Sequence, residues 1–106
     1  MSIAKTAIVT GANRGLGLEI ARQLVREGVR VVMGSRDPVK GERACAGLKA
    51  GELAVSHALD VSDTRSVRRF VAFVEKNFGP PAILVNNAGA YPEPREARGT
   101  DTKTSG

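Results

Sequence analysis

Short unbroken apolar runs alternate along this chain with longer stretches in which apolar side chains recur every three or four positions. Ala7-Ile8-Val9 is the first such run, and it ends in the turn signal Thr10-Gly11. A continuous run this short suits a strand buried on both faces. Leu16, Ile20, Ala21, Leu24 and Val25 then fall at helical spacing, and Gly28 provides the stop. Val29-Arg30-Val31-Val32-Met33 reads as a second buried strand. After Ser35-Arg36 a new helix is expected, with Asp37 as its N-cap and Pro38 in its first position. Val39, Ala44, Ala46 and Leu48 give that helix an apolar side, Gly41 and Gly47 weaken it, and Gly51 is the expected end.

Leu53 to Ala58 reads as a third, less apolar strand suited to a place near a sheet edge. Ser62 or Asp63 would cap the next helix, whose stripe of Val67, Phe70, Val71, Val74 and Phe78 is the clearest in the chain. Gly79-Pro80-Pro81 breaks it, and Ile83-Leu84-Val85 forms a fourth buried strand. The order β-α-β-α-β-α-β predicts an α/β fold with a parallel sheet and right-handed crossovers. Residues 1–90 are read as one folded unit. From Pro92 onward almost nothing is apolar, so residues 91–106 are expected to form a disordered tail.

Composition changes this picture little. The 106 residues suit one domain, and 42% hydrophobic content suffices for a core, largely aliphatic because aromatics are few. The net charge of +5 favours anionic partners. Its basic residues are dispersed, with Arg68-Arg69 the only adjacent pair, so no nucleic-acid arm is read. An RNA-binding use of the fold would also need an aromatic stacking platform, which the pattern does not offer. Cys45 is the only cysteine, which excludes an intrachain disulfide and fits a reducing compartment. No leader-like apolar region opens the chain, and no apolar stretch approaches the ~20 residues that span a bilayer. A cytoplasmic protein with no membrane partner is expected. His57 has no Cys or His neighbour in sequence and is assigned no metal or chemistry.

The candidate chemistry begins at Gly11, Gly15 and Gly17, between the first strand and the first helix. Gly11 permits a tight turn, a second glycine lets the backbone approach a pyrophosphate, and a third lets helix and sheet pack closely. The helix N-terminus then directs free N–H groups and a positive dipole end at the phosphates. No Lys-Ser or Lys-Thr follows, so this is not a Walker-type loop. At the end of the second strand of a dinucleotide fold, an acidic residue selects the ribose 2′-hydroxyl and an arginine accommodates a 2′-phosphate. Here that position holds Ser35-Arg36, and Arg14 in the glycine turn can reach the same phosphate. Both favour NADP over NAD. Asp37 lies one residue further and is read as a helix cap rather than a ribose ligand. Asp60, after the third strand, could accept from an adenine amino group or cap the next helix region. Asn86 and Asn87 follow the fourth strand and could satisfy loose backbone groups there, while small Ala88 and Gly89 allow a ligand close to the backbone.

Three motifs together, Thr10 to Gly17, Asp60-Val61 and Asn86-Asn87-Ala88-Gly89, resemble the short-chain dehydrogenase/reductase family, and within it the NADPH-dependent carbonyl-reductase branch. The resemblance covers residues 3 to about 90. It implies a Rossmann-like sheet of order 3-2-1-4 and residues 1–90 as an NADP-binding half-domain. Gly11, Asn13, Arg14, Gly15, Leu16 and Gly17 would cradle the pyrophosphate and the 2′-phosphate end. Ser35 and Arg36 would hold the 2′-phosphate, and Asp60 and Val61 would contact adenine. Asn87, Ala88 and Gly89 would line the ribose and nicotinamide side, with Asn86 bracing the sheet.

The resemblance implies a much longer protein, whose further part supplies a catalytic serine and a Tyr-x-x-x-Lys pair for proton transfer; no Tyr-x-x-x-Lys occurs in this sequence. Tyr91 with Arg95 imitates the pair only superficially, because Pro92 and Pro94 oppose a helix there and arginine does not titrate as lysine does. No catalytic residue is assigned. The expected function is the NADP(H)-binding portion of an oxidoreductase, inactive alone, with a non-catalytic NADP-binding or interaction module as the alternative. The fourth strand would leave an exposed edge, to be covered by a second copy or a complementary chain.

Overall fold

The computed structural model describes residues 4–87 of the 106. The elements follow the predicted alternation: β1 (Thr6–Thr10), α1 (Gly15–Arg26), β2 (Arg30–Ser35), α2 (Pro38–Gly47), a 3-10 turn (Gly51–Leu53), β3 (Ala54–Ala58), α3 (Thr64–Phe78) and β4 (Ile83–Val85). Among the described residues the strands form one parallel sheet of order β3-β2-β1-β4. The α/β architecture and the 3-2-1-4 order are those expected. The proposed tail at 91–106 lies outside the described residues.

The alternation of side chains along a strand divides the core in two. Val9, Val31, Met33 and Ala54 point to one face, where Leu18, Ile20 and Leu24 of α1 and Ala44, Cys45 and Leu48 of the α2 segment cover them. Ile8 and Val32 point to the other, under Phe70 and Val74 of α3. Strands covered on both faces need no polar alternation, which is why β1 and β2 read as continuous apolar runs. His57 on β3 stacks on Phe73, with ring centroids 4.5 Å apart, and its Nδ1 donates to the Ala58 carbonyl at 2.8 Å. Arg30, at the start of β2, lays its guanidinium 4.7 Å from the centre of the Phe78 ring.

Several boundaries differ from the sequence reading, and three of them have a clear physical reason. β2 continues through Gly34 and Ser35, because these residues pair with His57 and Ala58 of β3 and the sheet ladder overrides the glycine signal. Gly34 is also needed there, since a Cβ would press on Leu59 and Phe70. α2 ends at Gly47 rather than at Gly51, and Lys49 takes a left-handed φ of 52° in the turn that follows. Leu53 belongs to the short 3-10 turn, so β3 begins one residue later than expected.

This topology positions the site. From β1 the chain moves outward to β2 and β3 along one side, then returns to lay β4 on the other side of β1. The strand order therefore reverses between β1 and β4, and doubly wound folds bind ligands at the strand carboxyl ends beside such a reversal.

Candidate dinucleotide cleft

The cleft begins at the turn between β1 and α1. Gly11 and Gly15 adopt φ of 61° and 59°, a left-handed conformation in which a side chain is strained. The Ala12 N–H donates to the Gly34 carbonyl at 3.1 Å, tying the turn to the end of β2. Beyond its chain neighbours and its own helix backbone, no atom lies within 4 Å of where a Gly15 side chain would stand, so the space in front of the turn is open. Gly17 is the opposite case. It is buried, and a Cβ would collide with the Gly11 carbonyl oxygen and meet Asn87 Nδ2 at 2.9 Å. Its role is to seat α1 against the strand ends.

The turn feeds directly into α1, whose N-cap, Arg14, is extended (φ −165°, ψ 170°) and gives no side-chain cap. No acidic residue occupies the first helical turn. Among the described residues, then, no side chain caps these N–H groups, and the positive end of the helix dipole faces the cleft. α2 and α3 differ. Asp37 accepts from Val39 and Lys40 N–H at 3.0 and 3.2 Å, and Asp63 accepts from Arg65 N–H at 2.9 Å. Asp37 is the cap it was read as, and of Ser62 and Asp63 the latter caps α3.

Thr10 locks the turn to the end of β4. Its hydroxyl accepts from the Asn87 N–H at 2.7 Å and lies 3.4 Å from Asn86 Oδ1. Asn87 Nδ2 in turn donates to the Gly11 carbonyl at 3.2 Å. These bonds join residues more than 70 apart in sequence and hold the two lips of the crevice at fixed separation.

The resulting cleft is open, with a volume of about 1130 Å³. Of the residues proposed from sequence, Gly11, Asn13, Arg14, Gly15, Leu16, Arg36 and Asn87 line it together. Leu16 is 57% exposed, an unusual position for a leucine, and it faces this space. Gly17 stands behind the wall. Ser35 is buried, only 2% exposed, with its hydroxyl donating to the Asp37 carbonyl at 3.0 Å and its side chain set against Gly41. Asp60 and Val61 lie immediately past Leu59, which does line the cleft. The Asp60 carboxylate accepts from both the hydroxyl (2.6 Å) and the N–H (3.0 Å) of Ser62. These hydrogen bonds, followed by the charge of Arg36, hold its pKa below the usual aspartate value. Ala88 and Gly89 lie outside the described residues.

The sequence reading missed two cations. Lys40 and Arg43 of α2 line the same wall as Arg14 and Arg36. Their spacing from Arg36, four and seven residues, was the available signal. It is weak, because charges on an exposed helix face usually serve only solvation. Among the described residues the one salt bridge joins Glu19 to Arg22, so none of the four cleft cations is paired with a carboxylate. The described residues contain no group of three or more His, Cys, Asp or Glu that could hold a metal, and no helix long and apolar enough to cross a membrane.

A profile of the family described as short chain dehydrogenase matches residues 5–104. (+)-Neomenthol dehydrogenase of Arabidopsis thaliana is 52% identical over 89 residues, covering 78% of this chain and 30% of that protein. Carbonyl reductase 3 of Homo sapiens, named for NADPH, is 44% identical over 89 residues, covering 82% of this chain and 32% of its own length. Among solved structures, menthone neomenthol reductase from Mentha piperita superposes with a TM-score of 0.79 at 42% identity, covering 83% of this chain and 32% of that one. An actinorhodin polyketide ketoreductase solved with NADPH gives 0.77 at 39% identity, covering 84% and 35%. The chain thus spans about a third of the length of the relatives it matches, with its glycine turn, parallel sheet and Asn-bearing β4 end in the shared region, and it belongs to the short-chain dehydrogenase family.

Proposed function

We propose that these residues form the NADP(H)-binding portion of a carbonyl/alcohol oxidoreductase. The observation that carries this reading is the juxtaposition of an uncapped helix N-terminus, behind a left-handed glycine turn, with a cleft wall of unpaired cations. The turn and the α1 N-terminus suit a pyrophosphate, which needs N–H donors and a positive field but no bulky side chain. Arg36, at the end of β2, suits a 2′-phosphate, because a planar guanidinium can both pair with phosphate and lie against the adenine ring. Asn87, held by Thr10 and Gly11, suits the ribose on the nicotinamide side. The relatives named above include an NADPH-designated carbonyl reductase and a ketoreductase solved with NADPH, which supports the same cofactor here.

Bound NADPH would supply a hydride. The residues of this chain would bind it, orient it and neutralise its phosphates. The Ser35 hydroxyl is held by the Asp37 carbonyl, so its contribution to a 2′-phosphate site is to fix the backbone from which Arg36 projects. The Asp60 carboxylate is preoriented by Ser62 just past Leu59 of the cleft wall, which suits an acceptor for the adenine amino group. The 106 residues contain a single tyrosine, Tyr91, and no Tyr-x-x-x-Lys, so the proposal extends to binding without turnover by this chain alone in the reducing cytoplasm.

Titration of the purified chain with NADPH and NADH, followed by a carbonyl-reduction assay, tests the reading. Tighter binding of NADPH without turnover is expected, and no binding at millimolar NADPH would sink it. Arg36→Asp should move the preference towards NADH; an unchanged ratio would remove Arg36 from the 2′-phosphate site.

A further inference from the structure

We propose that Arg43, on the second turn of α2, is a specificity-determining residue that adds a cation to the 2′-phosphate end of the cleft. The inference rests on the NADP(H) reading and deepens it. Arg43 lines the same cleft as Arg14 and Arg36 although it is seven residues beyond Arg36 and on a different element. Helical geometry accounts for this. Lys40 and Arg43 are three residues apart, so they share a face of α2 and are separated by only about 4.5 Å along its axis. Helical side chains lean toward the helix N-terminus, which for Arg43 is the direction of Lys40 and Arg36. The guanidinium on its long stem is therefore carried back over the preceding turn, toward the end of β2. Ala44 beside it also lines the cleft and is too small to obstruct that path.

Charge supports the same assignment. Glu42 is the adjacent residue, but neighbours in a helix do not face each other, and no carboxylate among the described residues lies within ion-pair distance of Arg43. Asp37, the acidic residue lining the cleft, has its carboxylate engaged by the Val39 and Lys40 N–H groups. A row of like charges left unpaired along one wall is self-repelling in the free protein, and a dianionic phosphate relieves that repulsion. NADH lacks this phosphate, so the effect of Arg43 falls on one cofactor and not on the other.

The test is calorimetric titration of the full chain and its variants with NADPH, NADH, adenosine 2′-monophosphate and adenosine 5′-monophosphate. Arg43→Ala should weaken NADPH and adenosine 2′-monophosphate by about three- to tenfold and leave NADH and adenosine 5′-monophosphate unchanged. Arg43→Lys should retain most of the affinity, and Arg43→Glu should lose more than the alanine variant. Arg43 is exposed, so circular dichroism should show the native fold in each case. Equal weakening of the 2′- and 5′-phosphate probes, or no weakening of NADPH, would overturn the assignment while leaving the NADP(H) reading intact. A wild-type chain that binds neither cofactor, or both equally, would overturn the reading itself and this inference with it.

Discussion

Gly17 shows how a single residue can serve a cofactor site without facing it. Its missing side chain lets α1 approach the Gly11 carbonyl and Asn87, and that approach sets the direction of the helix N-terminus. Gly17→Ala should therefore cost about 1–3 kcal/mol through overpacking. For a domain of this size the loss should lower Tm by several degrees per kcal/mol, and NADPH affinity should fall with it. An unchanged Tm would show that the turn relaxes freely. Asp60 makes a prediction in pH. Its folded pKa is depressed by the Ser62 hydroxyl, by the Ser62 N–H and then by Arg36. A depressed carboxylate pKa stabilises the fold above the ordinary aspartate value of about 3.9, and that stabilisation disappears as pH falls through the lower folded value. Ser62→Ala should move the Asp60 titration upward toward the ordinary range, as read by NMR of its carboxyl carbon; an unmoved titration would refute the assigned cause. Cys45 behaves in the opposite sense. Desolvation first, and then the Glu42 carboxylate, push its thiol pKa up, so alkylation should be slow at neutral pH and accelerate only well above it.

At the scale of elements, the contrast between helix starts is informative. α2 and α3 each begin at an aspartate whose side chain accepts backbone N–H groups, whereas α1 begins at an arginine with no side-chain cap. Stability alone would favour a cap at all three, so the open α1 terminus fits a place kept for an external anion. Asp37→Ala and Asp63→Ala should each cost about 1 kcal/mol, measurable as a fall in Tm. Losing the Asp37 cap should also loosen the turn carrying Arg36 and Lys40, so NADPH affinity should fall for Asp37→Ala and hold for Asp63→Ala. Equal effects on binding would argue against α2 as a cofactor-positioning element. Helix starts were legible because capping is local chemistry: Asp37-Pro38 is sufficient by itself. Strand ends were less so. Gly34 and Ser35 extend β2 because β3 offers partners, and nothing within five residues of Gly34 encodes that offer.

Taken together, the described residues form a sheet with unequal cover. On the α1 and α2 face Val9, Val31 and Met33 are fully buried, but on the α3 face Leu84 of β4 is 65% exposed and Val71 of α3 is 41% exposed. Among the described residues β4 pairs with β1 alone, so its outer edge offers unpaired backbone groups beside an apolar surface. Association or low solubility of the isolated chain is the expected consequence. Leu84→Lys should raise the concentration at which the chain stays monomeric in sedimentation, with little change in Tm because Leu84 buries little area; a large fall in Tm would show that the residue is covered in solution. Ligand linkage adds to stability by mass action. NADPH at a hundredfold excess over its Kd should add about 2.7 kcal/mol, visible as a concentration-dependent rise in Tm that NADH at the same concentration does not match.

Periodicity alone determined the α/β alternation, and three short motifs placed the turn, the Asp60 region and the Asn pair at strand ends, because glycine, proline and capping residues act on their immediate neighbours. Only the tertiary structure decided which of those residues share a cleft. Ser35 turned inward once β3 extended the β2 ladder, Gly17 became part of the supporting wall, and Lys40 with Arg43 joined Arg14 because α1 and α2 cover the same face of the sheet. Those outcomes depend on where whole elements meet, and the meeting is governed by buried surface and strand pairing between residues far apart in the chain. The glycine turn was therefore readable from eight consecutive residues, while the charge along the cleft wall became visible only when the sheet brought its sides together.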